Sequence, residues 1–221
     1  MSIRLGPAAL TGLLFGVITV AGLFGSAALA EGSYPMPDAS IAEIRRFFAA
    51  NATAAQAQAV WQFAAAVLLA AFASTASAAI RPFNAALAGL AQAGGVLAAG
   101  FFALSATLVG ALGSEQFSRA AEVMQPAHLL GFLTGGALHV VFLGLLVGAV
   151  ALAGHRYGIL PRWVSWTGLI SATLSVLSML SLAVWEATPL LPIGRFSGIL
   201  VLAAASVHFA RGRTTSSPVR A

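Results

Sequence analysis

The sequence predicts an all-α, polytopic transmembrane protein: a six-helix bundle with one short amphipathic helix on its outer surface. Three observations carry this. Six apolar stretches, Pro7–Ala30, Ala59–Ile80, Phe83–Leu112, Ala127–Gly154, Val164–Trp185 and Ile193–Ala210, each hold at least 18 residues. At about 1.5 Å rise per residue, each can cross a hydrocarbon layer about 30 Å thick. The charges are few, 8% of residues against 59% hydrophobic, and none lies deep within a stretch. Finally, Trp61, Trp163, Trp166 and Trp185 fall near predicted span ends, as an interfacial aromatic belt requires.

A soluble fold of this length cannot hide so much apolar surface, whereas lipid tails solvate it. The net charge of +5 comes from eleven Arg, no Lys and six acids. In such a chain a basic balance reads as charge that sets topology, and no nucleic-acid partner is expected. There is no Cys, hence no disulfide, thiolate metal site or Cys nucleophile. The expected partners are membrane lipids, and beyond them a membrane protein or a second copy of the chain.

With the N-terminus inside, the inner face carries Arg4, Arg81, Arg156, Arg162, Arg211, Arg213 and Arg220. The outer face carries Arg45, Arg46, Arg119 and Arg195. Seven against four satisfies the positive-inside rule, so both termini are expected in the cytoplasm of a bacterial cell with the spans in its inner membrane. All six acids, Glu31, Asp38, Glu43, Glu115, Glu122 and Glu186, segregate to the other side.

Span 1 starts after Arg4 and ends in Ala28-Leu29-Ala30, a pattern shared with cleavable secretory signals. Its apolar run exceeds the usual signal core of about 7–15 residues, which favours a retained span. Gly12 and Gly16, with Gly22 and Gly25 beyond them, give it a face that another helix can approach closely.

The longest loop, about 31–58, opens with a turn at Pro35 and Pro37. Ser40-Ile41-Ala42-Glu43 then fits a capping box. Ile41, Ile44, Phe47 and Phe48 share one face of the ensuing helix while Glu43, Arg45 and Arg46 turn elsewhere, so it lies on the membrane surface or over the bundle. Asn51-Ala52-Thr53 matches a glycosylation acceptor but reads in a bacterial chain as a helix break and cap.

Arg81-Pro82 forms an inner turn, Pro being suited to the first turn of span 3. Gly94, Gly95 and Gly100 make span 3 a close-packing helix near the bundle centre. Residues 114–125 form a polar connection stopped by Pro126. The segment 155–162 is an inner loop, the segment 186–192 is a short outer turn, and a basic tail follows Arg211. The layout of polar outer helix, span, Arg/Pro turn and span occurs twice, from Ser40 and from Ser114. The residues barely match, so this reads as a common layout and not a duplication.

His139, halfway down span 4, is the most informative polar residue, because ionisable groups at membrane depth often mark proton or ligand paths. It ends a stripe of His128, Gly131, Gly135 and His139. With no acid at its depth, a neutral histidine bonded to a neighbouring helix is the preferred reading. Thr167, Ser171, Ser175, Ser178 and Ser181 line one face of span 5, which suits packing better than a wet path. Gln62 and Gln92 are candidate interhelical donors, and Glu186 and Arg195 can pair across the last outer turn. A candidate intramembrane polar site therefore comprises His139, Gln92, Ser171 and Ser175.

No cofactor or metal is expected: His139 has no counterpart at its depth to share a haem, and only span 4 carries two histidines. Signatures of metalloproteases, serine hydrolases, P-loops and dinucleotide sites are absent, and every acid sits outside the spans. The chain reads as a non-catalytic membrane protein that binds a lipid, apolar ligand or membrane partner. The alternative is a small proton-linked permease built on His139 and the span 5 face.

Three segments resemble a group of uncharacterised bacterial integral membrane proteins near the multi-span domain-of-unknown-function families. They are Ser40-Ile41-Ala42-Glu43-Ile44-Arg45-Arg46-Phe47-Phe48-Ala49-Ala50-Asn51, Leu160-Pro161-Arg162-Trp163 before Gly168, and Leu191-Pro192-Ile193-Gly194-Arg195-Phe196. The resemblance covers most of Ser40–Arg213 and implies no activity or site.

Overall fold

The computed structural model describes residues 6–119 and 121–211. Arg4, Arg213, Arg220 and the tail after Arg211 lie outside the described residues, as do the side chains of Arg119 and Trp185.

Six helical segments are long and apolar enough to cross a membrane: Ala8–Leu29, Ala52–Ile80, Ala85–Leu112, Glu122–Tyr157, Arg162–Leu182 and Leu190–Ala210. The chain is a multi-pass integral membrane protein, all helical among the described residues. Its helices are α1 (Thr11–Leu29), α2 (Ile41–Ala50), α3 (Ala52–Ile80), α4 (Ala85–Leu112), α5 (Glu115–Arg119), α6 (Ala121–Leu133), α7 (His139–Tyr157), α8 (Arg162–Leu177) and α9 (Leu190–Ala210). The spanning helices pack in chain order, α1 on α3, α3 on α4, α4 on α7, α7 on α8 and α8 on α9, and α9 closes the ring on α1. The acids and the α2 helix collect at one end, called here the acidic end. Arg81, Arg156, Arg162 and Arg211 collect at the other, the basic end.

The exposed surface is inside-out relative to a soluble protein. Val17, Phe24, Val60, Val67, Ile170 and Leu200 are each more than half exposed, on four different spans. Such a belt is untenable in water and suits lipid tails. Since lipid offers little hydrophobic incentive for helices to associate, cohesion depends on close packing. Small residues supply it: Gly12 sits under the Phe72 ring, Gly16 under Ile199, Gly95 against Ala73, and Gly144 and Gly194 on either side of Ser175. Gly25 and Gly100, expected to belong to packing faces, have no neighbour within 4 Å of where a Cβ would stand.

The spans differ from expectation mainly at the acidic end. Span 2 begins at Ala52 and not at residue 59 because Gln58 and Gln62 satisfy their amides inside the bundle. Asn51 does not cap α3. Its side-chain amide accepts from Glu31 N (2.6 Å) and donates to Glu31 O (3.1 Å) and Phe47 O (2.9 Å), tying the end of α1 to α2. Pro126 does not start a helix but lies within α6. The bond it forgoes would reach the Glu122 carbonyl, at the polar start of that helix. At the basic end α4 starts after Pro82, with Asn84 as its cap (Leu87 N to Asn84 Oδ1, 2.9 Å). Gly158, at φ 66°, ends α7 in the left-handed conformation that a side chain resists.

The surface helix forms with its capping box. Glu43 N donates to Ser40 Oγ (3.3 Å), and Ser40 N donates to the Glu43 carboxylate (2.9 Å). Ile44 and Phe48 are buried against Leu112 and Met124, so α2 lies over the bundle. Ile41, expected on the buried face, is 40% exposed, one turn short of the contact.

Candidate functional site

A glycine pair breaks the fourth span. Thr134–Leu138 forms a π-helical turn between α6 and α7, with Gly136 at φ −88°, ψ −105°. The absence of a Cβ at Gly135 and Gly136 permits the extra residue, and such bulges release backbone carbonyls from the helical ladder. Here the Gly135 carbonyl accepts a hydrogen bond from Arg195 Nη2 of α9, and the Gly131 carbonyl accepts from Ser105 Oγ of α4 (2.8 Å).

This overturns the expected pairing of Arg195 with Glu186. Glu186 is exposed in a short 3₁₀ turn, and among the described residues no ion pair joins the two. Because α9 begins at Leu190, Arg195 stands more than a turn inside it and reaches toward the bundle axis. Its guanidinium carbon lies 5.8 Å from the centroid of Phe102, a cation–π distance. Its Nε is covered and has no hydrogen-bond partner.

His139 follows the bulge and is fully buried. Its Nδ1–H donates to the Ala98 carbonyl of α4 (3.0 Å), and its ring stacks on Phe102 at 4.2 Å between centroids. Phe102 thus contacts both His139 and Arg195. The remaining predicted residues do not gather around them. Gln92 donates to Ser74 Oγ (3.3 Å) on the surface between α3 and α4. Ser171 pairs with Ser197 of α9 (2.7 Å), and Ser175 is a buried wedge in the α7–α8–α9 contact. Thr167, Ser178 and Ser181 bond to backbone carbonyls of their own segment. His128 lies against Tyr34 and Phe48, with Nε2 3.2 Å from the Met36 carbonyl.

No family model, curated protein or solved structure matches the chain. The site therefore rests on its geometry.

That geometry centres on a cavity of about 530 Å³ in the acidic half of the bundle. The second half of α1, the first halves of α3 and α9, the end of α4 and the π turn all line it. Ile18, Leu23, Trp61, Phe132, Leu191 and Phe196 make its walls mostly apolar. Gly32, Tyr34 and Phe47, from the long loop and α2, line its acidic end. Of its lining residues, Leu23 of α1 and Phe196 of α9 are both more than a third exposed, so the lining extends to the apolar surface of these helices. α1 meets α9 in the basic half, through Gly16 under Ile199 and through Ser206, which donates to the Ala9 carbonyl.

One polar track crosses the wall. Ser26 bonds to Gln58, Gln58 Nε2 donates to Gln62 Oε1 (3.2 Å), and Gln62 Nε2 donates to the Phe102 carbonyl (3.0 Å). Gln62 was legible as an interhelical donor. Ser26, Gln58 and Ser105 were not, being isolated polar residues in alanine- and glycine-rich runs. His139, Ser171 and Ser175 do not line the cavity.

Proposed function

We propose that the protein is a non-catalytic component of a bacterial inner membrane, with both termini cytoplasmic and span 1 retained, that takes one chain of an apolar or amphiphilic molecule into this cavity. The acidic end then faces outward, and the cavity opens to the outer leaflet. The observation that carries the reading is a mostly apolar hollow of about 530 Å³ whose lining includes Leu23 and Phe196, exposed on the lipid-facing surfaces of α1 and α9. Its volume is within the range of small-molecule sites, about 300–1,000 Å³.

Against the permease reading, the cavity's lining residues all belong to one half of the bundle. His139 bonds to α4, Ser171 bonds to Ser197 of α9, and Ser175 is packed between α7 and α9, all outside it. The test is equilibrium binding of hexadecan-1-ol to protein in neutral detergent, compared with Thr19→Phe. Thr19 lines the cavity and bonds only within its own helix, to Phe15 O (2.7 Å). Saturable binding of one molecule, lost in Thr19→Phe, supports the proposal. Non-saturable partitioning that is the same in both proteins refutes it.

A further inference from the structure

We infer that the cavity selects a long-chain anion, a single-chain amphiphile with a carboxylate head, and that Arg195 is its recognition group. This rests on the cavity-binding reading above and names the ligand class for it.

The argument begins with charge. A guanidinium away from water is costly unless paired and fully hydrogen-bonded. Arg195 has five N–H donors in a planar fork. One goes to the Gly135 carbonyl, a neutral acceptor that supplies no charge, and Nε has no partner. The cavity lining contains no Asp or Glu, and no described acid pairs with Arg195. The nearby Phe102 ring offers only a quadrupole. The fold therefore holds a cation in an apolar cleft through a carbonyl that the π turn makes available, and it supplies no anion of its own.

Shape narrows the class. The guanidinium fork matches a carboxylate in a two-point contact. The rest of the lining is apolar wall, with Ile18, Leu23, Phe132 and Leu191 facing the space a chain would fill. Leu23 and Phe196 line the cavity and are also exposed on the lipid-facing surfaces of α1 and α9, so entry is sideways from the bilayer. A small inorganic anion would leave these walls unused, and a neutral chain would leave the guanidinium uncompensated. A carboxylate on a single chain meets both demands.

The test compares hexadecanoate, hexadecan-1-ol and acetate on the intact protein in neutral detergent. The wild type should bind hexadecanoate at least about tenfold tighter than hexadecan-1-ol, the scale of a charge-assisted hydrogen bond in a dry site. Acetate should bind at least a hundredfold more weakly than hexadecanoate. Arg195→Gln keeps a donor for Gly135 and should lose the preference for the acid over the alcohol. Arg195→Lys should recover part of that preference. On the wild type alone, the preference should also vanish as the pH is lowered and the ligand's carboxylate is protonated, which requires no variant to fold. Equal binding of acid and alcohol, or a preference that survives Arg195→Gln, overturns the anion inference and leaves the cavity reading standing. Acetate binding as tightly as hexadecanoate also overturns it. Failure of both long-chain ligands to bind refutes the cavity reading itself.

Discussion

Gly94 and Gly100 lie on the same helix and should respond to the same substitution with opposite sign. A Cβ at Gly94 would stand 2.8 Å from Leu145 Cβ, 2.8 Å from Leu146 N and 3.0 Å from Phe142 O. These atoms are backbone or the root of a side chain, so no rotamer change clears them. Carbon contacts settle at about 3.5–4.0 Å, so α4 and α7 must separate by about 0.7 Å or more. Overpacking of this kind costs about 1–3 kcal/mol. Replacing a mid-helix Gly with Ala returns about 0.5–1 kcal/mol at either site. Gly94→Ala should therefore lose about 1 kcal/mol at the middle of these ranges and up to about 2.5 kcal/mol. Gly100→Ala, with nothing within 4 Å of the new methyl, should gain about 0.5–1 kcal/mol. The propensity term cancels between the two variants, so their difference isolates the packing term. Reversible unfolding in mixed micelles, followed by circular dichroism as the denaturing detergent fraction is raised, measures it. Equal stability of the two variants would refute the close α4–α7 approach.

Further outcomes concern the buried polar groups and the ends of the bundle. His139→Gln keeps a donor for the Ala98 carbonyl and should cost no more than about 1–2 kcal/mol in the same unfolding assay. Proteoliposomes under an imposed proton gradient should show no flux with either protein, and a flux lost only in His139→Gln would restore the permease reading. The Ser40 backbone N–H, then its hydroxyl, hold the Glu43 carboxyl below its ordinary value. This stabilisation of α2 is present above the unfolded carboxyl's titration range and is lost as pH falls through the lower folded value. Hydrogen exchange of α2 amides, corrected for intrinsic rates, should accelerate over that acidic window in the wild type but not in Glu43→Gln. A reporter active only outside the cell should be silent when fused after Ala221 and active when inserted at Gly32. The reverse pattern would invert the proposed topology.

The bundle was legible because spanning a membrane imposes length and apolarity on every helix, and both are properties of composition along the chain. The surface helix was legible for a different reason: Ser40 and Glu43 satisfy exposed amides locally, so a four-residue pattern suffices to announce it. The cavity was not legible. Gln58 marked the expected limit of a loop, yet it lies within α3 because Ser26 and Gln62 satisfy its amide, and those partners are remote or one turn away. Arg195, three residues into its expected span, read as a surface charge that could meet Glu186. Its turn inward depends on a carbonyl freed by the π turn on another span. The pair Gly135-Gly136 is the one local sign of that turn, and the sequence reading takes up only Gly135, in a stripe with His128, Gly131 and His139. His139 stood out as an isolated ionisable group, but its hydrogen bond and ring stack place it in the packing between α4 and α7.

The central claim, that a chain enters the hollow between α1 and α9, is tested most directly from Trp61, which lines the cavity. Two single-tryptophan proteins would be made, one keeping Trp61 and one keeping Trp163, which is 64% exposed at the basic end. Each would be titrated with stearic acid brominated at mid-chain, a short-range quencher. The account predicts saturable quenching of Trp61 at a stoichiometry of one, abolished by Thr19→Phe, against only the shallow linear quenching of partitioning at Trp163. Linear quenching of equal slope at both tryptophans would contradict it.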